Sequence, residues 1–223
     1  MDSFKGLFQA LPRVGRWFQQ GDIQPEDVRA FWRHMQRCFQ TDAVHFSAPR
    51  GDWPRALAPD GGFRGACPVG ASHRHVAVVG HCLHLPFEVG VRRAGWGLWR
   101  QVVACVHAHQ HVLQYDEDGP AAAAYLTASS ARARNEVDAL RCDIELHFWR
   151  HGTTPSPWRL ASRLRAQGCR AEDIARAGHV LALSAASIRQ GAVENESSHV
   201  ALQWLERHVP HLRWDRAYHP RAR

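Results

Sequence analysis

Lysine is almost missing from this chain: Lys5 is the single one among 28 lysines and arginines. The formal net charge of +7 is therefore arginine charge. Guanidinium stays protonated and offers phosphate or carboxylate a rigid fork of donors. Long apolar runs are missing too. Nothing approaches the roughly 18 uninterrupted apolar residues of a membrane-crossing helix. The opening MDSFKGLFQALPRVGRW has neither a sustained apolar core nor a leader cleavage pattern. The 6 cysteines, at 38, 67, 82, 105, 142 and 169, stand singly with no Cys-x-x-Cys pair. That excludes a dense disulfide scaffold and fits a reducing, cytoplasmic location. There is no G-x-S-x-G elbow, P-loop, Rossmann glycine fingerprint or H-E-x-x-H. No enzyme class declares itself, and a binding protein is the first expectation.

What is present is globular. Apolar residues make up 45 % and charged residues 22 % of 223 residues, enough chain to bury well over half of its unfolded surface. The expected fold class is mainly α: a multi-helix domain with a small two-stranded β element and a long Pro/Gly-rich loop. A first helix is expected near 4–19. A second begins at Pro25, with Val28, Phe31, Trp32, Met35 and Phe39 at helical spacing. The loop is 41–70, interrupted by Pro49, Pro54, Pro59 and Pro68. Short strands at 75–79 and 82–87 flank Gly80, and Pro86 makes the second an edge or a strand end. Helices follow at 98–115, 121–151 and 197–208. The chain divides into a mixed part, 1–119, and a helical part, 120–223, expected to share one compact unit.

The segment Trp158 to Gln190 is the most basic ordered stretch. Leu160, Leu164 and Ile174 can seed a small core, and Gly168 suits a left-handed turn. Glu172 and Asp173 favour the start of a helix, and Ser184 can cap a third one. The segment resembles a helix-turn-helix, with Gly178 where that pattern usually has a buried leucine. The resemblance implies a recognition helix ending at Arg189 and Gln190, whose side chains suit guanine and adenine edges. Arg159, Arg163, Arg165 and Arg170 would then hold phosphates. Arg29, Arg33 and Arg37 form a second basic stripe, one turn apart on a separate helix. The plainer alternative for 158–190 is an arginine-rich helical hairpin packed on the domain.

Two groups of residues suit a metal. Cys67, His73, Cys82 and His84 could hold a structural zinc, the candidate cofactor, with His75 and His81 as substitutes. The second group is helical: His107 and His111, one turn apart, and Glu136, Asp143, His147 and His151 on the following helix. They converge if the two helices pack antiparallel. The Glu-x-x-His motifs of di-iron bundles are lacking.

The resulting expectation is a nucleic-acid-associated binding or regulatory protein, contacting DNA or RNA phosphates through arginine-rich helices. The alternative is a protein-interaction scaffold or subunit of a larger assembly, to which 9 tryptophans lend support. No membrane partner is expected.

Overall fold

The computed structural model describes residues 22–45, 76–118 and 128–214. Among them are six helices and one three-stranded sheet. The helix expected at 4–19 and most of the loop expected at 41–70 lie outside the described residues.

Helix α1, Pro25–Phe39, starts on Pro25, with the Asp27 carboxylate accepting from the Gln24 amide. These groups satisfy a free donor and suit the positive helix end. Its stripe of Val28, Phe31, Trp32, Met35 and Phe39 is buried as the spacing requires. Strands β2 (Ala77–Val79) and β3 (Cys82–Leu85) form the expected antiparallel pair about Gly80. A further strand, β1 (Asp42–His45), pairs parallel with β3 on its other side. The sheet thus has one strand more than the periodicity indicated, and β3 is its central strand. Pro86 is tolerated because β3 ends at Leu85, before a ladder donor would be missed.

Helix α2 is Leu98–Asp118 and α3 is Ser129–His151. Gly152, at φ 68°, ends α3 beneath the Trp214 indole. Helix α4, Pro157–Ala161, is capped by Ser156 Oγ and runs into a 3-10 turn at Ser162–Gln167. Gly168, at φ 75°, reverses the chain into α5, Ala171–Arg189. The Arg170 amide donates to Ser129 Oγ, whose hydroxyl donates to Asp173, so the starts of α3 and α5 are tied together. Helix α6, Glu196–His208, and a 3-10 turn at Pro210–Leu212 follow.

The third helix expected from Ser184 is not a separate element. Helix α5 runs unbroken through that position. Ser184 is buried, with its hydroxyl accepting from Arg141 Nε and donating to Glu194. A serine so engaged between neighbouring segments caps nothing. The segment 158–190 is therefore a helical hairpin.

The buried apolar side chains form two clusters. One gathers α1, β3, α2, α6 and one face of α3 through Cys142, Leu146 and Trp149. The other joins the opposite face of α3, through Val137, Leu140 and Ile144, to α4 and α5. Helix α3 is thus covered on two sides, the condition under which a helix loses a single apolar stripe. Between these two apolar faces, Glu136 and Asp143 of α3 meet His111 and His107 of α2.

Candidate metal centre

Helices α2 and α3 pack antiparallel. The contacts run in opposite chain directions: His107 meets Asp143, His111 meets Glu136, and Gln114 meets the Asn135 carbonyl. Residues four apart on α2 share one face, as do residues seven apart on α3. That places His107, His111 and Gln114 opposite Glu136 and Asp143.

The two imidazoles point the same edge at one carboxylate. His107 Nε2 is 3.9 Å from Glu136 Oε2, and His111 Nε2 is 3.6 Å from Glu136 Oε1. The rings are 5.0 Å apart and near-perpendicular. One ligand atom from each of the three side chains lies within 4.8 Å of the others. The two Nε2–carboxylate separations are too long for hydrogen bonds. They are close to the spacing of donors around a shared ion, since ligands about 2 Å from a tetrahedral zinc stand roughly 3.3 Å from one another.

The other ring nitrogens are already engaged. His107 Nδ1 donates to Asp143 Oδ1 at 3.1 Å, because a carboxylate can only accept. His111 Nδ1 donates to Gln114 Oε1 at 2.8 Å. The amide orientation is fixed from behind, since Gln114 Nε2 donates to the Asn135 carbonyl at 2.8 Å. With Nδ1 as the donor in each ring, Nε2 is the nitrogen turned toward Glu136. This is how histidine ligands are usually oriented, with the distal nitrogen held by a carboxylate or amide.

Burial and charge divide the pair. Burial would lower the pKa of His107, but the Asp143 and Glu136 carboxylates outweigh it and raise it. Burial lowers His111, with Glu136 opposing. Glu136 is the deepest member at 6 % side-chain exposure, while His107 retains 25 %. His109, between the two ligand candidates, faces the opposite way. It bonds Thr41 Oγ1 and the Cys105 carbonyl in the core, and burial pushes it down to about 4.

Of the helical group read from the sequence, His107, His111 and Glu136 meet, with Asp143 behind His107. His147 and His151 do not join them. Their rings pair with each other toward the end of α3, where His147 Nε2 lies 3.4 Å from Thr153 Oγ1. Two neighbours were not anticipated. Gln114 sits three residues after His111, a spacing that was legible. Arg163, read as a phosphate contact, has Nη1 3.5 Å from Asp143 Oδ2. A tertiary contact between α3 and the 3-10 turn leaves no trace in either local pattern.

The other zinc group divides differently. Cys67 and His73 lie outside the described residues. Cys82 and His84 alternate by two along β3, as expected. Burial and nearby Asp42 raise the pKa of the Cys82 thiol. His84 is buried. His81 is occupied by Asp116, at 2.9 Å, and by the carbonyls of Phe39 and Gln40.

Arg159, Arg163, Arg165 and Arg170 are all exposed along the segment leading to Gly168 and α5. Arg170 has Glu172 at 4.0 Å. Arg189 donates to Thr154 Oγ1, and Gln190 is the C-cap of α5. Those two residues stand at the far end of α5 from Arg170, about 29 Å away for a helix of this length. On α1, Arg33 and Arg37 are exposed, while the Arg29 stem lies against Gly90. Helix α1 packs on α2 and α6, and α4 packs on α5, so the two basic stripes belong to separate packing neighbourhoods. Comparison with protein-family models, curated proteins and solved structures gives no match.

Proposed function

We propose that this protein binds a divalent transition metal, zinc first, between α2 and α3 through His107, His111 and Glu136. One observation carries the reading. Both histidines turn Nε2 toward the two oxygens of one carboxylate, while Asp143 and Gln114 hold their other nitrogens. Two imidazoles and one carboxylate form a donor set that zinc accepts, and three protein ligands leave a position for a further one. Helical metallopeptidases place a general-base glutamate directly after the first histidine. Here that residue is Ala108, buried in the apolar core at 2 % exposure. The reading is of a metal site, and not of that reaction.

Elemental analysis of the protein purified from zinc-supplemented cells tests it. One equivalent of metal is expected, lost in the H107A/H111A double variant. A metal-free parent protein, or a double variant that keeps its full equivalent, would end the proposal.

A second reading, nucleic-acid association, is favoured by the exposed arginines at 159, 163, 165 and 170. Four guanidinium groups on one short segment suit phosphates, whatever the base sequence. Binding of duplex DNA, single-stranded RNA and an acidic polymer at two salt concentrations separates this reading from general charge attraction. Equal, weak affinity for all three would reject it.

A further inference from the structure

We infer that the cavity between the C-terminal half of α3 and α6 binds an amphipathic carboxylate, an apolar chain or ring carrying one negative charge. The cavity shares no residue with the His107, His111 and Glu136 cluster, so the inference stands apart from the metal reading.

The cavity has a volume of about 750 Å³, within the range of small-molecule sites. It lies where α3, the end of α5 with the loop after it, α6 and the segment after the last 3-10 turn come together. Phe148, Trp149, Ile188, Leu202 and Trp214 supply its apolar wall. Trp214 is anchored there. Its amide donates to the Trp149 carbonyl at 3.0 Å, and its indole covers the backbone of Gly152. A wall already formed lowers the ordering cost of binding. Val193, 42 % exposed, is one of the lining residues that reach solvent. An apolar body laid in the cavity would take such surface out of water.

The charged groups decide the sign of the ligand. Glu206 is already compensated, since Trp149 Nε1 donates to its Oε1 at 3.0 Å and Arg213 pairs with it at 2.7 Å. Glu145 is 2 % exposed, and its Oε1 accepts from the Glu194 amide. Burial raises its pKa, with Ser198 and the amides of Glu194 and Asn195 opposing. His199 is bonded to Gln203 at 2.8 Å. Arg207 differs from these. It is exposed, lines the same cavity and has no ion-pair partner among the described residues. One uncompensated guanidinium beside an apolar wall suits one carboxylate, with which its fork of donors can form two bonds. An ammonium in the same place would meet Arg207 and Arg213 as like charges.

The test uses the full chain and anilinonaphthalene sulfonate, an apolar monoanion whose emission rises at exposed apolar surface. Octanoate, octanol and octylamine share one apolar chain and differ in charge. Each is titrated as a competitor of the dye. Octanoate is expected to displace it at a concentration about threefold or more below that of octanol, with octylamine weakest. R207Q should bring octanoate to the level of octanol and leave octanol unchanged. A192W, which adds an indole to a lining position, should weaken the dye and every competitor. R207Q alters an exposed side chain, so it carries the test should A192W misfold. Octanol or octylamine matching octanoate, or R207Q keeping the octanoate advantage, overturns the carboxylate class. Dye binding left intact in folded A192W overturns the site. So does a parent protein that neither brightens the dye nor gives heat with octanoate in calorimetry. Zinc content, measured alongside, should be the same in the parent, R207Q and A192W, whichever way the dye responds.

Discussion

The Trp158 indole lies on the bare backbone of Gly178, so that a Cβ at that glycine would overlap ring atoms Cε3 and Cζ3. The contact joins α4 to the middle of α5 and leaves Trp158 half exposed. Gly178→Ala sets two effects against each other. Alanine favours the helix by about 1 kcal/mol, whereas overpacking costs typically 1–3 kcal/mol. A net loss of roughly 1 kcal/mol is expected in chemical denaturation. In a Trp158→Ala background the sign should reverse, because only the helix preference remains. A destabilising Gly178→Ala in that background would mean that the ring is not what the glycine accommodates.

Asp143 should matter to metal affinity without touching the metal. Removing a group that orients a ligand typically costs 10–100-fold in affinity. Asp143→Asn keeps the shape but gives up the charge that supports His107. A loss of about tenfold is expected in competition with a chromophoric chelator. Unaltered affinity would assign Asp143 to Arg163 alone.

The centre also distinguishes itself from the strand. Cys82→Ser and His84→Ala should each leave the bound metal at one equivalent, because neither side chain belongs to the His107, His111 and Glu136 cluster. Loss of the metal from folded Cys82→Ser protein would transfer the site to β3.

How far the chain could be read in advance follows from the range of each interaction. The ends of α1 and α6 follow from local signals, such as Pro25 and the acidic first turn of α1, or Pro210 after α6, whereas α2 runs on to Asp118, past the turn expected after Tyr115. The facing of α2 and α3 depended on a single assumption, antiparallel packing, and with it His107, His111 and Glu136 fell together. Strand β1 escaped because its partner is some forty residues away and parallel, with no hairpin turn to mark it. Ser184 misled because serine suits both a cap and a buried bridge. Which one applies depends on Arg141 and Glu194, neither nearby in the hairpin. Arg163 was noticed as charge, but its partner Asp143 belongs to another helix.

Asp22 joins three segments. Its carboxylate accepts from Arg92 at 2.6 Å and from Arg150 at 3.2 Å, where the Arg150 guanidinium also covers Trp99. Burial would raise its pKa, but the two arginines bring it below 3.8. A lowered folded value stabilises the fold above the unfolded pKa, and that contribution is lost as pH falls through the folded one. Asp22 is partly exposed, so the pairs together are worth about 1 kcal/mol or less. Asp22→Asn should lower Tm by roughly 2–4 °C at neutral pH. The difference should shrink as pH falls below about 4. A gap that persists undiminished at pH 2 would trace the loss to packing instead of charge.

The two basic stripes make different demands on a phosphate backbone. Arg159 and Arg165 are exposed on the segment leading to α5, whereas Arg33 and Arg37 project from α1, in the other packing neighbourhood. Each phosphate contact contributes about 0.9 to the slope of log affinity against log salt on duplex DNA. Replacing Arg159 and Arg165 by glutamine should therefore flatten that slope by nearly 2. Replacing Arg33 and Arg37 should leave it unchanged if the hairpin alone meets the strand. Equal flattening by both pairs would require one duplex to span both neighbourhoods. No effect from either would remove nucleic acid from consideration.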